Sequence, residues 1–261
     1  MKKFFALMLA MVMALSLIGC GTSDASKEEP VELIVFAAAS MTETLTTLGQ
    51  QYMAEHQNVN IIFNFDSSGT LKTQIQEGAD CDIFISAGQK QMNELECVLE
   101  GTRFDILENK VALAVPDGNP ANINSYDDLI AGLKDASIML AMGNADVPVG
   151  QYTQKILKFY ELVEEDLADA GVITYGSNVK EIATQIAESI VDCGIIYQTD
   201  AFSAGLTVVD TATAQMCGQV IYPAAVLNVS KNVDAAKDFL AFLTSDAEDA
   251  VFEAVGFTPV A

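Results

Sequence analysis

Two stretches of the chain place serine hydroxyls where a β-branched run gives way to a helical pattern, Ala37-Ala38-Ala39-Ser40 and Asp66-Ser67-Ser68-Gly69. A helix start leaves backbone N–H groups without partners and carries partial positive charge, and a neighbouring serine adds a further donor. The chemistry open to such turns is the binding of an anion. Ser40 and Ser68 equally suit plain helix capping, in which the hydroxyl accepts from a backbone N–H of the first turn. Other catalytic equipment is sparse. His56 is the sole histidine, no CxxC pair occurs, and Gly-x-Ser-x-Gly is absent at Ser68. Neither a zinc site, a redox dithiol nor a hydrolase elbow is therefore indicated, and no bound metal cation is expected.

What must position those turns is an alternation of short strands and amphipathic helices, the pattern of a mostly parallel sheet flanked by helices. Val31 to Phe36 reads as a first strand, and Met41, Leu45, Leu48 and Tyr52 share one face of the helix that follows. His56 ends that helix, where a cation interacts well with the dipole. A strand from Val59 to Phe65 leads into a helix carrying Leu71 and Ile75, Asp82 to Ser86 is a third strand, and Gln89 to Leu99 a helix. Lys110 to Val115 is a strand ended by Pro116, and the turn Asp117-Gly118-Asn119-Pro120 marks the expected crossing into a second lobe. Helix Tyr126 to Leu133, strand Ser137 to Ala141, helix Gly150 to Tyr160 and strand Val172 to Tyr175 follow. A helix from Asn178 then carries Val179, Ile182, Ile186 and Ile190 as an apolar stripe. Strands at Gly194 to Tyr197, Thr207 to Val209 and Val220 to Leu227 precede two closing helices, Ala235 to Leu243 and Ala247 to Val255, which return to the first lobe. Two crossings between lobes can act as a hinge around a cleft. In open α/β sheets ligands sit at the carboxyl ends of strands, where both serine turns lie.

The front of the chain points to export. Lys2 and Lys3 precede an uncharged, mostly apolar run from Phe4 to Ile18, shorter than the about 20 residues of a membrane-spanning helix and suited to a signal peptide. Leu17-Ile18-Gly19-Cys20 resembles the lipobox of bacterial lipoproteins, which implies that Cys20 is lipidated and becomes the new N-terminus. Thr22 to Pro30 is small, polar and charged, and reads as a tether. The expected organisation is a signal peptide at 1–19, a tether at 20–30, one lobe from 31–112 plus 222–261, and a second from 113–221. The protein is 51% hydrophobic, enough for real cores, and its formal net charge is −23. Two of its 13 Lys+Arg lie in the signal, which has no acidic residue, so the charge beyond it is −25. Such a surface repels nucleic acid. Exposed charges are screened beyond about 8 Å at physiological salt, so donors at contact distance decide the ligand. The even count of Cys81, Cys97, Cys193 and Cys217 permits two disulfides or four small buried thiols.

Six segments stand out in order along the chain: Val35-Phe36-Ala37-Ala38-Ala39-Ser40, Ser67-Ser68-Gly69-Thr70-Leu71, Asp82-Ile83-Phe84-Ile85-Ser86-Ala87, Val147-Pro148-Val149-Gly150-Gln151-Tyr152, Asn178-Val179-Lys180, and Gly194-Ile195-Ile196-Tyr197 followed by Asp200-Ala201. Together they resemble the periplasmic molybdate-binding proteins of ABC importers. The resemblance extends to Gly256-Phe257-Thr258. It implies an α/β, two-lobed type II periplasmic-binding-protein fold, no catalysis, no cofactor, and molybdate or tungstate as ligand. By the same resemblance Ser40 and Ser68 supply hydroxyl and N–H donors, Val149 and Val179 supply backbone N–H, and Tyr197 supplies its phenol. The partners implied are the importer's membrane subunits, and the protein is expected to be a monomer anchored outside the cytoplasmic membrane. These anions carry no proton at neutral pH and only accept hydrogen bonds, so neutral donors suffice. Sulfate or phosphate binding is the alternative, and a serine hydrolase using Ser68 a remoter one. Two departures stand out. Gly143-Asn144-Ala145-Asp146 replaces the family's acidic, proline-containing turn, and Asp66 beside Ser68 would repel a dianion unless it points outward, as expected.

The lipobox gives a direct expectation. Cys20→Ser in the full chain should release it from membranes or leave its signal uncleaved. Normal processing with unchanged membrane attachment, read by fractionation and mass spectrometry, would refute lipidation.

Overall fold

A computed structural model describes residues 29–260; the signal, the lipobox with Cys20 and most of the tether lie outside them. In chain order the elements are β1 (Val31–Ala38), a 3-10 turn over Ala39–Met41, α1 (Thr42–Glu55), β2 (Val59–Asp66), α2 (Ser68–Gln76), β3 (Ile83–Ile85), α3 (Gln89–Asn93), β4 (Phe104–Asn109) and β5 (Val111–Val115). They continue with α4 (Tyr126–Lys134), β6 (Leu140–Gly143), α5 (Pro148–Phe159), α6 (Glu164–Asp169), β7 (Ile173–Gly176), α7 (Val179–Ala187), β8 (Cys193–Tyr197) and α8 (Gln198–Ser203). The last are β9 (Thr207–Thr211), α9 (Ala214–Cys217), β10 (Val220–Val226), α10 (Val233–Leu243), α11 (Asp249–Glu253) and β11 (Thr258–Pro259).

The strands form two sheets, ordered β11-β4-β10-β3-β1-β2 and β7-β6-β8-β5-β9. β1 runs parallel to β2 and β3, and β6 parallel to β7 and β8. β10 runs against β3 and β4, and β5 against β8 and β9. Each sheet is thus mostly one-directional, and one of the strands running against the rest lies beside each crossing. β5 pairs wholly within the second sheet, so the chain passes between sheets at Lys110, not at the 117–120 turn, and returns between Thr211 and Val220. The limits expected at 112/113 and 221/222 therefore fall inside β5 and β10.

Burial on both faces explains why these strands read as unbroken apolar runs. Leu33, Val35 and Ala37 of β1 are fully buried in a core shared with Leu45 and Leu48 of α1 and Phe239 of α10. Phe36 and Phe84 belong instead to a cluster with Leu71, Ile75 and Met92 from α2 and α3. In the second sheet Leu129, Ile156 and Ile182 bring in α4, α5 and α7. His56 caps α1 as expected, with its ring stacked on Tyr52 at 3.9 Å. The four cysteines among the described residues are free thiols, three of them buried, and burial pushes the Cys81 thiol up to about 12. No helix among the described residues is long and apolar enough to cross a membrane.

Several boundaries differ for physical reasons. The helix expected to reach Leu99 stops at Asn93, after which the chain turns to bridge Val98 to Leu227. β4 was not expected, because Phe104 and Asp105 at its start are exposed and only Ile106 and Leu107 signal a strand. α7 ends at Ala187 with Ser189 in the left-handed region, which turns Ile190 away to 55% exposure. Ile190 therefore does not belong to the stripe of Val179, Ile182 and Ile186. Ile186→Ala should lower unfolding stability by about 2–5 kcal/mol. Ile190→Ala should stay within about 0.5 kcal/mol, and urea titration compares the two.

Candidate functional site

The carboxyl ends of the two sheets face each other, and helix starts from both meet there. Ser40 follows β1, Ser68 follows β2, Pro148 opens α5 after β6, Val179 opens α7 after β7, and Tyr197 ends β8. Ser40, Ser68, Val179 and Tyr197 line one small pocket, together with Ala87, Val147 and Pro148. Val149 is not in that lining; it stands next along α5, fully buried. The N–H groups of Ser40, Ser68, Val149 and Val179 find no acceptor among the described residues, as the first turn of a helix dictates.

The capping role falls to neither expected serine. Ser67 caps α2, its Oγ accepting from Thr70 N–H at 3.1 Å. Ser68 Oγ accepts from Ala87 N–H at 2.9 Å, which leaves its own hydrogen for another partner. Ser40 caps nothing, and its Oγ lies 2.9 Å from Tyr222 Oη. The direction of that bond follows from its neighbours. Asn109 Oδ1 accepts from Lys110 N–H, so the Asn109 amide nitrogen donates to Tyr222 Oη at 3.1 Å and to Thr199 Oγ1 at 2.9 Å. Tyr222 is fully buried, and burial holds its phenol well above the ordinary range. Its proton goes to Ser40, and the Ser40 hydrogen is left to point onward. Tyr197 is likewise kept protonated by burial, with Ala87 O at a long 3.4 Å.

Apart from Asp66, the polar lining is therefore a set of neutral donors backed by helix starts, and no Lys or Arg lines it. Asp66 departs from expectation. It does not point outward but lines the pocket, where Oδ1 accepts from Ser67 N–H at 2.7 Å and from Asn178 Nδ2 at 3.3 Å across the two sheets. Two donors on one oxygen spread the charge that would repel an anion.

The loop at 143–146 takes a tight path. Asn144 Oδ1 accepts from Asp146 N–H, and Gln151 Nε2 donates to Ala145 O. This brings the Asp146 carbonyl against Gly69 of the other sheet's α2, where a Cβ would stand 2.1 Å from the oxygen. Any side chain at Gly69 would hold the two sheets apart.

Beside the pocket, Asp200 is 1% exposed and neither carboxylate oxygen has a hydrogen-bond partner among the described residues. Lys180 Nζ lies 3.3 Å from Oδ1. Burial raises the Asp200 carboxyl to about 6, with Lys180 pulling the other way. Lys180 also donates to Glu43 Oε1 at 2.9 Å and Oε2 at 2.8 Å. Asp200 fell within a segment of the resemblance, but nothing local marked it as buried; Tyr222 and Asn109 had no signal at all, since their partners are remote in sequence.

Residues 33–258 match the family model described as bacterial extracellular solute-binding protein. The putative ABC transporter substrate-binding lipoprotein YvgL of Bacillus subtilis is 30% identical over 264 residues, 98% of this chain and 98% of the relative. The molybdate-binding protein ModA of Haemophilus influenzae is 32% identical over 270 residues, 99% of each. A solved structure, the substrate binding domain of a putative molybdenum ABC transporter from Clostridium difficile, is similar at TM-score 0.65 and 32% identity, over 88% of this chain and 100% of that one. With a match across nearly all the described residues, the chain belongs to the bacterial extracellular solute-binding protein family.

Proposed function

We propose that the protein captures molybdate or tungstate between its two sheets and delivers it to an ABC importer. The observation that carries this reading is the convergence of neutral donors from helix starts of both sheets on one pocket. Ser40 and Ser68 each receive a hydrogen bond from behind and keep a hydrogen to give forward. A tetrahedral dianion accepts from every side, and oriented dipoles stabilise its charge without a cation. Ser40, Ser68, Val149, Val179 and Tyr197 are the proposed contacts. The relative of that name in Haemophilus influenzae supports the choice of anion. The two sheets act as lobes that close on the ligand about Lys110 and the 212–219 segment, because a ligand touching both favours the closed state.

The protein acts outside the cell as a monomer, tethered through lipidated Cys20, a reading in keeping with the relative described as a lipoprotein. It binds and does not catalyse. Ser68 Oγ is engaged by a backbone N–H, and His56 sits at the far end of α1 from Ser40, about 20 Å away by helix rise. No base is at hand.

Asp66 favours a second reading. Its carboxylate lines the pocket and offers an acceptor that a protonated oxyanion such as hydrogen phosphate needs and molybdate does not. Competition calorimetry separates the two. Molybdate and tungstate should displace each other with phosphate far weaker; phosphate binding equally well, and lost in Asp66→Asn, would carry the second reading instead.

The three serines should divide cleanly. Ser67→Ala removes a cap and should lower stability by about 0.5–2 kcal/mol while leaving molybdate affinity intact. Ser40→Ala and Ser68→Ala should each weaken molybdate binding on the order of tenfold or more. Melts with and without molybdate read both quantities. Unchanged ligand-induced shifts in the Ser40 and Ser68 variants would remove these hydroxyls from the site.

A further inference from the structure

We infer that Lys180 is a latch between the two sheets, pinned by buried Asp200 on its own side and closed onto Glu43 on the other, which sets how long the cleft retains its anion. This rests on the anion-capture reading and names the residue that holds the captured state.

Three observations support it. Lys180 Nζ reaches both Glu43 oxygens, and Glu43 belongs to α1 of the first sheet while Lys180 belongs to α7 of the second. The pair sits beside the donors, since Lys180 follows Val179 directly and Glu43 is three residues past Ser40. Separation of the donors therefore separates the pair. A cation in the first turn of a helix opposes the dipole, so Lys180 is not placed there for the sake of α7. Asp200 accounts for its position, because a carboxylate buried without hydrogen-bond partners holds the nearest cation close, here at 3.3 Å. One fixed end and one releasable end make a latch. The Glu43 end is half exposed and breaks without stranding a buried charge.

The test uses the full chain in two measurements: stopped-flow dissociation of molybdate, and amide hydrogen exchange of the ligand-free protein at 66–70 and 144–147, which meet across the sheets. Glu43→Gln should raise the dissociation rate about threefold, the scale of a partly exposed ion pair, with little change in association rate. Glu43→Lys, which sets two cations together, should raise it on the order of tenfold and speed exchange at both segments. Lys180→Arg should retain the wild-type rate. Lys180→Met is made together with Asp200→Asn so that no buried charge is left alone, and in that background Glu43→Gln should have no further effect. If Glu43→Gln changes neither dissociation nor exchange, or acts equally without Lys180, the latch is overturned while anion capture stands. If the wild-type protein binds no molybdate, the capture reading falls, and the exchange data still decide whether Glu43 and Lys180 hold the sheets together.

Discussion

Helix N-termini cannot satisfy their own first N–H groups, and this chain aims several of those unsatisfied starts at one point between two sheets. Much of the rest of the molecule follows from that. β1, β2, β6, β7 and β8 all end facing the pocket, so each following turn delivers its donors to the same place. Single starts of this kind are common and usually solvated. Convergence from two separate sheets is what turns a routine helix property into a candidate binding geometry, because neither sheet alone surrounds the point.

The apolar cores serve that geometry by fixing where strands end. Leu33, Val35 and Ala37 hold β1 between α1 and its neighbours, and Leu140 and Ala141 do the same for β6. Asn109 ties the arrangement to the crossing between sheets. It precedes Lys110, where the chain passes over, and its side chain contacts Tyr222 of one sheet and Thr199 beside the other. The wiring that orients the Ser40 hydroxyl thus runs through the crossing itself.

Much of this was legible in the sequence because it is local. Serines after β-branched runs and the Asn178 cap of α7 are features of a few adjacent residues, and α7 begins where it was expected, while α5 begins at Pro148, two residues before the expected Gly150. What was not legible depends on distant contacts. Ser40 and Tyr222 are 182 residues apart, and nothing near Tyr222 distinguishes it from an ordinary strand aromatic. Asp66 was expected to avoid the pocket on charge alone, and the Asn178 amide across the sheets, which joins Ser67 N–H on the same oxygen, has no local signal. The short helices α6, α8 and α9 span four to six residues each, too little for a helical period to register. Ile190 fits the period of α7 on paper, but the chain leaves the helix before reaching it.

The meeting of Gly69 with the Asp146 carbonyl gives the cleft a fixed gauge. Most contacts between moving parts of a protein are made by side chains, which shift rotamers and yield. Here the Cα of Gly69 stands against a peptide carbonyl, with no side chain between them to give way. Closer approach of the two halves at this point requires the backbone itself to move. An anion too small for that spacing would leave hydrogen bonds stretched on one side, and closing further to shorten them is resisted. Size discrimination among guests of equal charge would then be a property of the backbone, largely indifferent to the side chains around it.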